Sequence, residues 1–364
     1  MRVERLRLRD FRCYDDAEVE LGDGMTVVHG ANGSGKTSLV EALYFACTAR
    51  SFRTANEREL VRFGCSTTRV VIGGSDADGE HELAVGFSPG EPKRISLDGA
   101  PVQRLLEAPH RPLVSVFAPD RLELIKGGPR LRRAHLDQLV AALWPARAAT
   151  RRRYREALAQ RNALLARVRG GRADSQSLRP WDAELAGIGV QLRADRERAA
   201  DSIAERFATY AQALGLNGDV RLAYRSRSHA TDVEGLAIEI ADALAADLAR
   251  GYTTRGPHRD ELLLRRDGRD LRSYGSQGEQ RLVLLALLLA ERDALDAERD
   301  RPPLMLLDDV MSELDGSRRV MLTQALSRGG QAIITATELE HVPDWDGAAV
   351  AHLDVAPLAA LARS

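Results

Sequence analysis

Hydrophobic and polar positions along the chain change their period three times. Near the start, Leu6, Leu8 and Phe11 alternate with Arg5, Arg7 and Arg9, and Val19 and Leu21 continue the period of two. This predicts strands. After the turn Gly22-Asp23-Gly24, the apolar run Met25-Thr26-Val27-Val28 leads into a glycine-rich loop. Segments around Arg69–Ile72, Glu82–Phe87 and Arg94–Leu97, separated by Gly, Asp and Pro, predict an antiparallel addition to a sheet. From about Arg132 to Leu216 the spacing becomes helical: Tyr154, Leu158, Leu165 and Val168 share one face, and Trp181, Leu185, Ile188, Leu192, Ile203, Phe207, Tyr210 and Leu214 line another. Turn chemistry from Gly170 to Pro180 separates them, so an antiparallel helical hairpin is expected. Strand character returns at Val220, Leu222 and Tyr224, followed by a helix near Leu236–Leu248 and a hairpin at Asp267-Gly268. The run Leu282–Ala290 predicts a helix buried nearly all round, and Leu304–Leu307 a buried strand ending in two aspartates.

The chain has 364 residues, enough for about two domains. Its longest apolar run falls well short of the roughly 20 residues of a membrane span, and no secretory leader pattern opens it. A cytoplasmic protein is the expectation, with no membrane partner. The three cysteines, Cys13, Cys47 and Cys65, lack metal or redox spacing and suit a reducing compartment. Net charge is −1, so any nucleic-acid affinity must come from a local patch. Of 52 basic residues only Lys36, Lys93 and Lys126 are lysine, which directs attention to those three positions.

Lys36 closes the phosphate-loop pattern Gly30-Ala31-Asn32-Gly33-Ser34-Gly35-Lys36-Thr37, placed after an apolar strand and before a helix as the pattern requires. Backbone N–H groups of such a loop wrap phosphates, Lys36 reaches the β- and γ-phosphates of ATP, and Thr37 ligates Mg²⁺. Asp308, at the end of the apolar strand, is the second Mg²⁺ residue. Asp309 stands where many such ATPases have a glutamate that polarises the attacking water, and its shorter side chain implies slow hydrolysis.

The segment Ser276-Gln277-Gly278-Glu279 is similar to the signature loop of ABC-type ATPases, in which the serine hydroxyl and glycine N–H meet the γ-phosphate held by a partner subunit. Ser276 with Glu279 three residues on is equally a helix capping box. One phosphate loop and one signature loop per chain complete two sites only in a head-to-tail homodimer.

With these elements the chain resembles the RecF family, recombination mediators of the SMC-like branch of ABC ATPases. The resemblance covers nearly the whole length. It rests on Leu6–Tyr14 with Phe11-Arg12, the phosphate loop with Glu41, Ser51-Phe52-Arg53, Phe117-Ala118-Pro119-Asp120, Gly127-Gly128-Pro129 with Arg132-Arg133 and Leu136-Asp137, Gly256-Pro257-His258-Arg259-Asp260, Ser276-Gln277-Gly278, and Leu307-Asp308-Asp309 through Asp315. It implies an α/β ABC-type P-loop ATPase head with a mixed sheet, built from residues 1–131 and 217–364, with 132–216 inserted as a helical lobe. It also implies an ATP-dependent homodimer that binds double-stranded DNA and single/double-strand junctions, with weak DNA-stimulated hydrolysis acting as a switch. Partnership with RecO and RecR in loading recombinase at gaps follows from the family, as do roles in DNA replication, repair and the SOS response, and a nucleoid-associated place in the cytoplasm. By the same resemblance Arg12 approaches the nucleotide. No glutamine stands in Phe117–Asp120, and Thr335-Ala336-Thr337 replaces the switch histidine of transporters.

For DNA, the arginines from Arg147 to Arg179, including Arg151, Arg152, Arg153 and Arg155, outnumber the two acids of that stretch, Glu156 and Asp174. Arg5, Arg7 and Arg9 form a second candidate patch. Such surfaces give salt-sensitive, sequence-independent binding. The competing class is a small-molecule P-loop kinase, which leaves Ser276-Gln277-Gly278 without a role.

Overall fold

The computed structural model describes residues 1–105, 108–343 and 350–356. By contact the chain divides into two units: Met1–Leu122 with Ala213–Gly215 and Leu295 onward, and Glu123–Gln212 with Leu216–Ala294. The stretch 217–294, expected with the ATPase head, therefore falls in the second unit together with the helical hairpin.

The first unit holds two sheets. One is antiparallel and begins with β1 (Arg2–Phe11), β2 (Tyr14–Glu20), β4 (Thr68–Asp76), β5 (Gly79–Phe87) and β6 (Arg94–Leu97), in the order β2-β1-β4-β5-β6, with the short Ala100–Pro101 strand at its end. In β1 the side chains of Val3, Leu6, Leu8 and Phe11 are buried while Arg5, Arg7 and Arg9 are exposed. The three-residue step from Val3 to Leu6 comes from a bulge between Val3 and Arg5 in the pairing with β4. Gly74 lies opposite: a Cβ there would sit 1.7 Å from the Arg2 carbonyl oxygen.

The other sheet is parallel, ordered β14-β3-β13-β12-β8, from β3 (Met25–His29), β8 (Val114–Phe117), β12 (Leu304–Leu307), β13 (Ala332–Ala336) and β14 (Val350–Asp354). β12 and β13 are buried throughout, as continuous apolar runs demand in a parallel sheet. The acidic strand β12 does not adjoin the phosphate-loop strand β3; β13 lies between them. Helix α1 (Lys36–Thr48) follows the loop, and its Leu39, Val40, Leu43 and Phe45 share one core with Leu6, Leu8 and Phe11 of β1 and with Leu304, Leu306 and Ile333 of the parallel sheet.

In the second unit, α3 (Pro129–Leu143) precedes the hairpin of α4 (Ala148–Arg169) and α5 (Arg179–Ala213). Tyr154, Ala157, Leu185, Ile188 and Leu192 pack there with Leu236 and Ile240 of α6 (Val233–Asp242). The helix expected over Leu236–Leu248 is two, α6 and α7 (Leu244–Arg250), with Ala243 between them. A small antiparallel sheet joins β9 (Val220–Arg225) to β10 (Glu261–Arg266), which turns at Asp267-Gly268, both with positive φ. Helix α9 (Gln277–Arg299) carries the buried run Leu282–Ala290.

Buried ion pairs fix this unit. Arg161 is fully enclosed and bonds Asp182 at 2.7 Å, Asp247 at 2.6 Å and the Thr253 hydroxyl at 2.8 Å. Arg196 forks onto Asp137, and Arg132 meets Glu261.

Candidate nucleotide site

Gly30, Gly33 and Gly35 adopt φ of +147°, +77° and +106°, values that permit the loop to curl between β3 and α1. A side chain at Gly35 would collide with the Tyr14 hydroxyl at 2.7 Å, and that hydroxyl donates to the Gly35 carbonyl at 3.1 Å. The β1–β2 turn thus braces the loop from below. Above it, Ala31, Asn32 and Gly33 are exposed, and no atom lies within 4 Å of a Cβ built on Gly33. Ser34 Oγ is buried and has no hydrogen-bond partner. The Lys36 ammonium donates to the carbonyls of Gly30 at 2.7 Å and Ala31 at 2.9 Å. Burial lowers its pKa, opposed by the negative charges of Asp309 and Asp308.

Across the loop, Asp308 Oδ1 accepts from the Thr37 hydroxyl at 3.0 Å and from the Thr335 hydroxyl at 2.9 Å. Burial raises the pKa of Asp308, while these two hydrogen bonds pull it down. Thr335 Oγ1 also accepts the Asp309 backbone N–H at 2.8 Å. Asp309 stands at φ +54°, a left-handed conformation that non-glycine residues seldom adopt, and its side chain is exposed. Thr335, the first residue of the segment Thr335-Ala336-Thr337, thus ties the two aspartates together. Thr37 Oγ1 and Asp308 Oδ1 form a hard-oxygen donor pair of the kind Mg²⁺ takes, so the residues present fit that ion.

Arg12, also at positive φ, places its guanidinium in a two-pronged contact with Glu41, both bonds 2.8 Å. Glu41 is wholly buried on α1 and receives Ser51 and Arg53 as well. Arg12 thus lies beside the loop-bearing helix with its charge engaged by Glu41. Three stretches noted separately in the sequence, Phe11-Arg12, Glu41 and Ser51–Arg53, converge on one carboxylate; no spacing rule links them. Lys93 has a partner set too: its ammonium reaches the Ala49 carbonyl at the end of α1, and Glu57.

Ser276, Gln277 and Gly278 are exposed at the start of α9, in the second unit. Ser276 N–H donates to Glu279 at 2.7 Å and Glu279 N–H to Ser276 Oγ at 3.3 Å, so the capping box is formed. That motif engages Ser276 and Glu279 and leaves the amide face of Gln277 and Gly278 open.

The basic stretch requires a correction. Its arginines do not face only Glu156 and Asp174: Arg147 pairs with Asp195, Arg151 with Asp137 and Arg161 with Asp182 and Asp247, all acids lying outside Arg147–Arg179 or on the far helix. Arg152, Arg153 and Arg155 remain exposed. On β1, Arg7 is paired with Glu18 across the strand, so that patch is partly neutralised.

Residues 5–89 match the AAA domain family. The chain is 38% identical over 349 residues to the DNA replication and repair protein RecF of Acidothermus cellulolyticus, covering 92% of this chain and 94% of that one. It is 39% identical over 350 residues to RecF of Anaeromyxobacter sp., covering 93% of each. Among solved structures, a recombination mediator protein RecF-ATP of the RecFOR pathway superposes with a TM-score of 0.85 at 27% identity, over 98% of this chain and 96% of that one. An Smc head domain from Pyrococcus furiosus, at 18% identity and a TM-score of 0.57 over 93% and 90% of the two chains, shares the fold. Among the described residues no helix is long and apolar enough to cross a membrane. An ABC-type ATPase head with these relatives across nearly its full length belongs to the RecF family of DNA replication and repair proteins.

Proposed function

We propose that this chain is an ATP-driven DNA-binding switch that dimerises on ATP and serves recombinational repair and replication-gap processing. The observation that carries the reading is the pair Thr37 Oγ1 and Asp308 Oδ1, 3.0 Å apart beside an open phosphate loop. A relative of 27% identity described as RecF-ATP supports ATP as the nucleotide. Kinase chemistry is set aside because the relatives that span the chain are DNA replication and repair proteins.

ATP phosphates enter the ring of N–H groups from Gly30 to Thr37, and Lys36 exchanges its two loop carbonyls for phosphate oxygens. Thr37 and Asp308 hold Mg²⁺, which neutralises phosphate charge when bound. Asp309 orients water, and its short carboxylate makes hydrolysis slow. Ser276, Gln277 and Gly278 act on the nucleotide of a second copy, so closure of the dimer depends on ATP and its release on hydrolysis. Exposed Arg152, Arg153 and Arg155 contribute phosphate contacts to duplex DNA, including single/double-strand junctions. Since the solved relative is placed in the RecFOR pathway, RecO and RecR are the proposed partners for loading recombinase.

Sedimentation velocity with and without ATP is the direct test, with Lys36→Met removing nucleotide binding and Ser276→Arg blocking the partner's site. A dimer that forms in wild type only when ATP is present, and in neither variant, supports the switch; a monomer under every condition, or a dimer indifferent to ATP, overturns it. Duplex binding in a salt series then reads DNA affinity, which the proposal requires to rise with ATP.

A further inference from the structure

The second unit carries a concave pocket of about 400 Å³ with a one-sided charged lining. Arg227 after β9, Arg250 at the end of α7, and Arg255 and Arg259 in the loop before β10 line it, with one acid, Asp242. All four arginines are exposed, and none of them forms an ion pair among the described residues. That sets them apart from Arg132, Arg161 and Arg196 of the same unit, each of which is held by a carboxylate. A fifth guanidinium, that of Arg169 at the end of α4, lies over Gly251, the residue after Arg250: a Cβ built there would meet its Nη1 at 2.8 Å.

The backbone under these side chains is fixed. Thr254 donates its N–H at 2.8 Å and its hydroxyl at 2.6 Å to Asp247 Oδ1, and Asp247 is held in turn by buried Arg161. Asp260 accepts the Arg227 N–H at 2.8 Å and the Tyr224 hydroxyl at 2.6 Å, which ties the Arg227 segment to the loop that bears Arg255 and Arg259. Like charges held together on a rigid frame repel one another, and an anion in the pocket relieves that repulsion. The guanidinium fork matches phosphate oxygens two at a time. Beside the pocket Tyr252 is 42% exposed, with the Arg259 guanidinium 5.5 Å from its ring centre. Phosphate-binding arginines next to an exposed aromatic ring are the parts from which single-strand sites are built.

We infer that this pocket binds the sugar-phosphate backbone of single-stranded DNA, with a base stacking on Tyr252. The inference rests on the reading of the chain as DNA-binding and adds a site separate from the exposed arginines of α4. Shape selects the strand type. A duplex is a stiff convex rod with a persistence length of about 50 nm, and its phosphates stay on that convex surface. A single strand bends into a concavity and turns its bases toward aromatic rings. Arg152, Arg153 and Arg155, exposed along α4, suit the rod. The pocket suits the strand that leaves the rod at a junction.

The test is fluorescence anisotropy on the full chain with Mg-ATP and three labelled probes: oligo-dT, a blunt DNA hairpin, and the same hairpin with a dT tail. The inference requires wild type to bind oligo-dT and to bind the tailed hairpin more tightly than the blunt one. Arg255→Ala combined with Arg259→Ala should remove the contribution of the tail and leave blunt-hairpin affinity unchanged. The same pair should lower the salt slope for oligo-dT by about 1.4, at about 0.7 for each phosphate contact. Tyr252→Ala should weaken oligo-dT binding about 5-fold or more. Oligo-dT affinity untouched by Tyr252→Ala, or matched by a polyglutamate peptide of equal charge, overturns the inference, since either result leaves charge as the only thing recognised. Two outcomes need no variant to fold. Wild type that binds the blunt hairpin and gains nothing from the tail overturns the inference and leaves the duplex reading standing, whereas wild type that binds none of the probes overturns both.

Discussion

The Thr335 hydroxyl donates to Asp308 Oδ1 at 2.9 Å while accepting the backbone N–H of Asp309 at 2.8 Å. One side chain on β13 thus sets both aspartates at the end of β12. Thr335→Val keeps the shape but strands a part-buried N–H, at a cost of about 1 kcal/mol. It also removes a hydrogen bond that holds the Asp308 pKa down, so nucleotide affinity should weaken most on the acid side. Titration with a fluorescent ATP analogue between pH 5.5 and 8 checks this; a pH profile superimposable on wild type would contradict it.

Asp308 itself should be a cost to the free chain. Burial raises its pKa, so between the ordinary carboxylate value and the raised one the folded chain binds a proton that the unfolded chain does not. Stability falls as pH rises through that interval, and the ionised group destabilises the fold at pH 7. Asp308→Asn should therefore raise the melting temperature without nucleotide, by about 2 °C for about 1 kcal/mol. The same variant should lose the Mg-ATP-dependent rise seen in wild type. Differential scanning calorimetry with and without Mg-ATP measures both.

Glu41 gathers Arg12, Ser51 and Arg53 in a buried setting. Removing it leaves half-exposed Arg53 without its anion and Arg12 with only the longer contact to Glu59 at 3.7 Å, so Glu41→Ala should cost about 2–3 kcal/mol in urea unfolding. Arg12→Ala and Arg53→Ala should each cost less, because the carboxylate retains the other arginine. Their double variant should depart from additivity, as members of one network do. Additive effects would show that Glu41 does not couple them.

How far the sequence carries can be judged from the arginines of α4. Helical spacing placed Tyr154, Leu158 and Leu165 on the packed side, and Leu282–Ala290 and Leu304–Leu307 announced their burial by being apolar without interruption. Such periods are local, and local geometry produces them. Charge pairing is not local: Arg161 lies 86 residues before Asp247, and Arg151 reaches back to Asp137. Counting charges within the stretch therefore overstated its free excess. The same limit applies to the nucleotide site. The phosphate loop is contiguous and was legible, whereas Thr335 acquires its role only because β13 is inserted between β3 and β12.

This division makes a prediction for the basic stretch. Arg161→Ala should destabilise by about 3–5 kcal/mol, since it leaves Asp182 and Asp247 buried without their cation. Alanine at exposed Arg152, Arg153 or Arg155 should change stability by no more than about 0.5 kcal/mol. If these three contact DNA, each replacement should lower the slope of log affinity against log salt by about 1. Fluorescence anisotropy across a salt series reads that slope, and an unchanged slope in the triple variant would remove α4 from the DNA surface.

His258 supplies the last expectation, on acid stability. Its ring accepts the Tyr154 hydroxyl at Nδ1, 2.8 Å, and donates from Nε2 to the Thr253 carbonyl, 2.9 Å, which fixes a neutral tautomer. Burial lowers its pKa to about 4, and the nearby Arg259 and Arg133 charges act in the same direction. The unfolded chain titrates near 6.5, so it takes up a proton that the folded chain refuses until pH 4. The stabilisation from neutral His258 is complete above pH 6.5 and is lost as pH falls toward 4, by up to about 3 kcal/mol. His258→Gln removes that titration. In urea unfolding the gap between wild type and variant should be widest near pH 7 and should close as pH falls from 6.5 to 4; a gap that stays constant would mean that protonation of His258 is not coupled to folding.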